Sequence, residues 1–98
     1  MRLYLVTQTL MKGYDTYDSM VVAAESVSDA RTIHPYYGDA FDLYVKEGKW
    51  WVKRKDFGDY EFKRGGWPEP KDKASLLVKF LGLTEEPRGV ILASFNAG

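Results

Sequence analysis

Residues 13–35, GYDTYDSMVVAAESVSDARTIHP, constrain the fold more than any other stretch. A loop of turn formers gives way to a short apolar run, then to a helix start, then to a proline. Ser26-Val27-Ser28-Asp29 has the form of a capping box. The Ser26 hydroxyl can accept from the first free backbone N–H groups, and Asp29 suits the positive end of a helix. Val27, Ala30 and Ile33 or His34 then recur at three- and four-residue spacing, the period of an apolar helix stripe. Pro35 pushes the residue before it out of helical geometry. The pattern predicts a short helix stopped at Pro35, with His34 in its last turn, where the negative helix end favours a protonated imidazole.

Strand signals surround this helix. Arg2 to Gln8 alternates, with Leu3, Leu5 and Thr7 on one side and Tyr4, Val6 and Gln8 on the other. Lys12-Gly13 breaks the run, and Ser19 to Glu25 reads as a second strand paired with the first in a hairpin. FDLYVKEGKWWVKR gives two short strands around Glu47-Gly48, and DFGD marks another turn before YEFKR. Leu76, Val78 and Phe80 fit one face of a strand over 74–83, although residues 73–81 also fit helical spacing. VILASFN, residues 90–96, is the most continuous apolar run and predicts a central strand buried on both faces. The order implies an α+β domain over residues 1–98: one small antiparallel sheet, one short helix packed on it, and a β-meander insertion at 41–70.

Bulk properties exclude several classes. There is no long apolar run, so no membrane span is expected. MRLYLVTQTL lacks the apolar length of a secretory leader and reads as the first strand. The absence of cysteine removes disulfides and thiolate metal sites, and it suits a reducing compartment. Net charge is zero, so no general attraction to nucleic acid or membrane is expected. Charge is uneven, however. Residues 1–45 hold three basic and six acidic groups, whereas residues 46–73 hold nine basic and six acidic ones.

Two clusters are candidates for binding. The first is Tyr14, Asp15, Tyr17, Asp18, Arg31, His34 and Asn96. A hairpin followed by a helix can bring its tip, the helix end and a sheet edge together. Tyrosine rings offer stacking faces, and an arginine fork offers two parallel donors to phosphate or carboxylate. The same groups equally serve structure, through Asx-turns, an Arg31 pair with Asp29 or Asp18, and His34 capping its own helix. The second cluster is basic and aromatic: Trp50, Trp51, Lys53, Arg54, Lys63 and Arg64. Strand alternation places Trp50 and Val52 on one side and Trp51 and Lys53 on the other, leaving one tryptophan face for a partner. Core tryptophans beside a charged, aggregation-resistant edge would look the same. The acids in this segment make nucleic acid an unlikely partner. Glu61-Phe62-Lys63, with Asp42 or Asp59, matches the E-x-K arrangement of magnesium-dependent nucleases, but alternating charge on a strand gives such a match without chemistry. With one histidine and no glycine-rich phosphate loop, the sequence predicts no cofactor and no enzymatic activity.

Three segments, GYDTYDSMVVAAES, ARTIHP and RGVILASFNAG, resemble a family of small bacteriophage proteins with YDTYDS, ARxIHP and ASFNAG motifs. The resemblance spans the first third and last quarter of the chain, and residues 41–70 depart from it. It implies a phage accessory product acting in the bacterial host cytoplasm. Small phage proteins of this sort antagonise host defence by gripping a host protein, or by sequestering a nucleotide-derived signal, sometimes across a homo-oligomer interface. Protein contact without catalysis is the expectation drawn here, with ligand sequestration the alternative.

Overall fold

The computed structural model describes residues 1–36, 42–54, 57–63 and 66–96. The architecture is mainly β, with two antiparallel sheets and one short helix. Among the described residues seven strands form, in chain order: β1 (Arg2–Gln8), β2 (Thr16–Ala24), β3 (Leu43–Lys46), β4 (Lys49–Val52), β5 (Tyr60–Glu61), β6 (Leu76–Leu83) and β7 (Gly89–Asn96). The helix α1 spans Val27–Ala30, and a 3-10 segment kinked at Asp72 spans Pro70–Ser75.

β1 and β2 form the predicted hairpin, with Leu5 opposite Val21 and Val6 opposite Met20. They are the centre of a four-stranded sheet in the order β6-β1-β2-β7. Alternation sends Tyr4, Val6, Met20 and Val22 into the core. The opposite face carries the partly buried Leu5 and Val21, and the more exposed Leu77 and Leu92.

The expected single sheet is corrected to two. β3, β4 and β5 form their own three-stranded sheet in that order. Their two-residue turn has Glu47 at φ 53 and Gly48 at φ 74, the left-handed pair that matches strand twist in a tight hairpin. Leu43, Trp50 and Val52 point inward and meet Tyr4, Met20, Ile33, Phe62, Trp67 and Leu76 in one core cluster shared by both sheets.

β7 is corrected from a central to an edge strand. Ile91, Leu92 and Phe95 are 45%, 68% and 45% exposed. An apolar run reports side chains, not backbone neighbours, so it cannot separate a centre from an edge. Register shifts against β2 break the alternation, and only Val90 and Ala93 pack against the core. The ambiguous stretch after residue 73 resolves as strand from Leu76 onward.

The helix also ends sooner than its proline. The predicted cap forms: Ser26 Oγ accepts from Asp29 N at 3.1 Å, and Asp29 Oδ2 accepts from Glu25 N at 3.0 Å. After Ala30 the bonding tightens, with Thr32 N donating to Asp29 O and Ile33 N to Ala30 O. The Thr32 hydroxyl also donates to Asp29 O at 2.7 Å. β-branched Thr32 and Ile33 give little helical support, so Pro35 stops nothing that has not already stopped.

Candidate functional site

The hairpin tip is held by one side chain whose role the β1 alternation does not reveal. Gln8 is buried at the end of β1. Its Oε1 accepts from Leu10 N at 2.9 Å and Met11 N at 2.7 Å. Its Nε2 donates to Met11 O and, at 3.0 Å, to Tyr17 O. One amide thus replaces the ladder bonds that the chain loses on leaving the strand. A polar side chain at an inward strand position was the available signal.

The tip and the C-terminal strand do converge. Asp15 N donates to Asn96 O at 2.6 Å, and Asn96 Nδ2 donates to Gly13 O at 2.8 Å. Tyr17 packs on Phe95 at 4.8 Å and on Tyr36 at 5.6 Å. Tyr17 N donates to Gly66 O at 2.8 Å. Gly66 has φ +100, and a Cβ there would meet Asp15 O at 3.0 Å, so this close crossing requires glycine. Tyr14, Asp15, Tyr36 and Phe95 line a cleft of about 500 Å³ beside the tip. Burial, then the neighbouring Tyr36, push the Tyr17 hydroxyl above its usual range. No cationic side chain among the described residues lines this cleft.

The other members of the first cluster lie elsewhere. Asp18 is exposed, where the β2–β7 register shifts. His34 is a core residue, 1% exposed, rather than a helix cap or a ligand contact. Its Nδ1 accepts from Tyr36 N at 3.0 Å, which places the proton of the neutral ring on Nε2. Trp50 and Phe62 stand perpendicular to the imidazole at 5.0 and 5.3 Å. Nε2 has no hydrogen-bond partner among the described residues. Burial without a carboxylate lowers the His34 pKa from 6.5 to about 3, reversing the charged state expected at a helix end.

Arg31 lies on a second cleft, also of about 500 Å³, with Ser28, Thr32, Val45, Pro70 and Ala74. Asp29, one of its two expected partners, is taken by Arg88. Arg88 Nε donates to both Asp29 oxygens at 2.9 and 3.1 Å, and Nη2 donates to Thr32 Oγ1 at 3.0 Å. That long-range clamp joins the start of β7 to α1 and has no local sequence signal. Arg31 itself makes no ion pair or side-chain hydrogen bond among the described residues.

The second sheet sorts the basic-aromatic cluster. Trp50, counted with the partner surface from sequence, is corrected to core: it is 2% exposed, and its Nε1 donates to Pro68 O at 2.9 Å. Alternation gives the outward position to Trp51, flanked by Tyr44 on β3 and Glu61 on β5. Lys46 Nζ sits 5.0 Å from the Trp51 ring, and the Arg54 guanidinium lies near both Phe57 and Tyr60. Lys46, Lys49, Lys53, Arg54 and Lys63 are all exposed, while Arg64 lies outside the described residues. Glu61 pairs with Lys49 at 3.3 Å and Lys63 at 3.6 Å. Asp59 accepts from Tyr44 Oη and Arg54 N. The Tyr44 hydroxyl, with the Arg54 amide and nearby lysines, holds the Asp59 carboxyl below its usual range. The E-x-K residues are thus joined as a surface ion pair, and no group of three metal-ligating side chains occurs among the described residues. No helix is long and apolar enough to cross a membrane among the described residues.

No protein-family model matches this chain, and neither a curated protein nor a solved structure matches it.

Proposed function

We propose that this chain is a non-enzymatic bacteriophage accessory protein that antagonises a host system by docking on an acidic protein surface in the host cytoplasm. The observation that carries the reading is the outward face of the three-stranded sheet. There Lys46 lies over the Trp51 ring, and Lys49, Lys53, Arg54 and Lys63 are exposed on or next to strands β4 and β5. Among the described residues of 42–63, five basic groups meet four acids: Asp42, Glu47, Asp59 and Glu61. Two of those acids are engaged, Glu61 by lysines and Asp59 by Tyr44 and Arg54. A half-buried tryptophan beside positive charge suits an acidic partner, with the ring supplying contact area and the charges steering encounter. The phage origin and the host-defence role draw on the sequence resemblance alone. A second reading, sequestration of a nucleotide-derived signal, draws on the unpaired Arg31 at its own cleft.

Affinity capture of the tagged chain from infected host cells, read by mass spectrometry, identifies the candidate partner. Binding of the purified partner is then measured against salt. Lys46→Glu with Lys53→Glu is expected to weaken it at least about tenfold, and Trp51→Ala similarly. Salt-independent binding that survives all three substitutions in folded protein would refute the assignment of this face.

A further inference from the structure

Arg31 is the cationic member of the predicted site, and it lines a cleft of its own. It is only partly exposed, yet its guanidinium has no hydrogen bond or ion pair among the described residues. A guanidinium carries five donors, and no Arg31 nitrogen is among the buried polar atoms that lack a partner, so these donors stay accessible at the cleft. Asp29 is paired with Arg88, whose Nε donates to both of its oxygens, so Arg31, Arg88 and Asp29 together carry one net positive charge. The Thr32 hydroxyl is engaged on both sides, accepting from Arg88 and donating to Asp29 O. The Ser28 hydroxyl, on the same cleft, has no hydrogen bond among the described residues. Across the cleft, Val45 from β3 and Pro70 and Ala74 from the 3-10 segment supply apolar lining. The cavity, about 500 Å³, lies within the range that holds a small organic ligand.

We propose that this cleft binds a small organic anion: a single carboxylate or phosphate head held by Arg31, with Ser28 as a further donor, and an apolar body against Val45, Pro70 and Ala74. The head chemistry follows from the fork of parallel N–H groups, which matches two oxygens of either anion. The body chemistry follows from the apolar lining. This site lies apart from the basic-aromatic face, so it is independent of the protein-docking reading.

The test uses the full chain, with amide chemical shifts followed by NMR during titration with 1-naphthyl phosphate, 1-naphthoate and neutral 1-naphthalenemethanol. Inorganic phosphate serves as the head alone. Saturating shifts are expected at residues 28–32, Val45 and Ala74 with one or both anions, and the stronger of the two identifies the head. The neutral alcohol and inorganic phosphate should each bind at least about tenfold more weakly. Arg31→Gln should abolish the preference for the anion over the alcohol. Because Arg31 supports no other residue, that variant is expected to fold. Ala74→Trp keeps the charge and fills the apolar side, and it should block binding of all three naphthyl probes. Absence of saturation at millimolar probe, equal binding of anion and alcohol, or unchanged anion binding by Arg31→Gln would each overturn the proposal.

Discussion

His34 couples folding to pH with a sign opposite to that of an exposed histidine beside a carboxylate. Its folded pKa is about 3, whereas an unfolded chain titrates near 6.5. The unfolded state therefore binds the proton more tightly, and acidification favours unfolding. The contribution of the neutral ring is complete above pH 6.5 and is lost as pH falls toward 3. The full difference is worth about 5 kcal/mol, and by pH 5 about 2 kcal/mol of it is already gone. A domain of this size has about 5–15 kcal/mol in total, so the loss at pH 5 is large. Urea unfolding from pH 7.5 to 5 would measure it, with His34→Phe as the reference. The variant forfeits the acceptor for Tyr36 N, about 1 kcal/mol at every pH, but it removes the proton linkage. Carboxylates affect both proteins alike, so the difference between the two curves isolates His34. The wild type should lose about 2 kcal/mol more than the variant over this range. Parallel curves, or an imidazole NMR titration midpoint near 6.5 for this sole histidine, would refute the reasoning.

Other substitutions separate structural residues from surface ones. Gln8→Leu strands the Leu10 and Met11 amides and should cost about 2–4 kcal/mol by urea unfolding, with amide exchange at residues 9–17 rising most. Trp50→Ala should cost about 3–5 kcal/mol, while Trp51→Ala, on the outward side, should cost clearly less; equal losses in unfolding curves would contradict the alternation. Glu47→Asn relieves a left-handed position and should raise stability by up to about 1 kcal/mol, read as a higher urea midpoint.

What could be read from sequence was mostly local. The β1–β2 hairpin follows from strict alternation, and the Ser26 cap from two residues three apart. The inward Trp50 and outward Trp51 follow from β4 alternation, although sequence could not say which side was core. Long-range arrangement is not written locally in the chain. Nothing near VILASFN reveals that β1 and β2 already occupy the sheet centre, so the run was placed there and not at the edge. The chain around FDLYVKEGKWWVKR spells hairpin but not membership of a second sheet. Sequence offers Asp29 or Asp18 as a structural partner for Arg31, but Asp29 is held by Arg88, 59 positions away. His34 was assigned a charge from an expected helix end, but the helix finishes at Ala30 and the ring is surrounded by aromatics.

The strand order also fixes a timetable. β1 and β2 come first from the ribosome, yet each finds its other neighbour only in β6 and β7, more than fifty residues later. Until then the nascent hairpin presents Tyr4, Val6, Met20 and Val22 with both of its edges open. Assembly of the larger sheet thus depends on closing two long loops, and that non-local closure sets a slow step in folding. A ribosome stalled before Gly89 would hold the hairpin without its last strand, the state in which this chain is most exposed to chaperones and to its own neighbours.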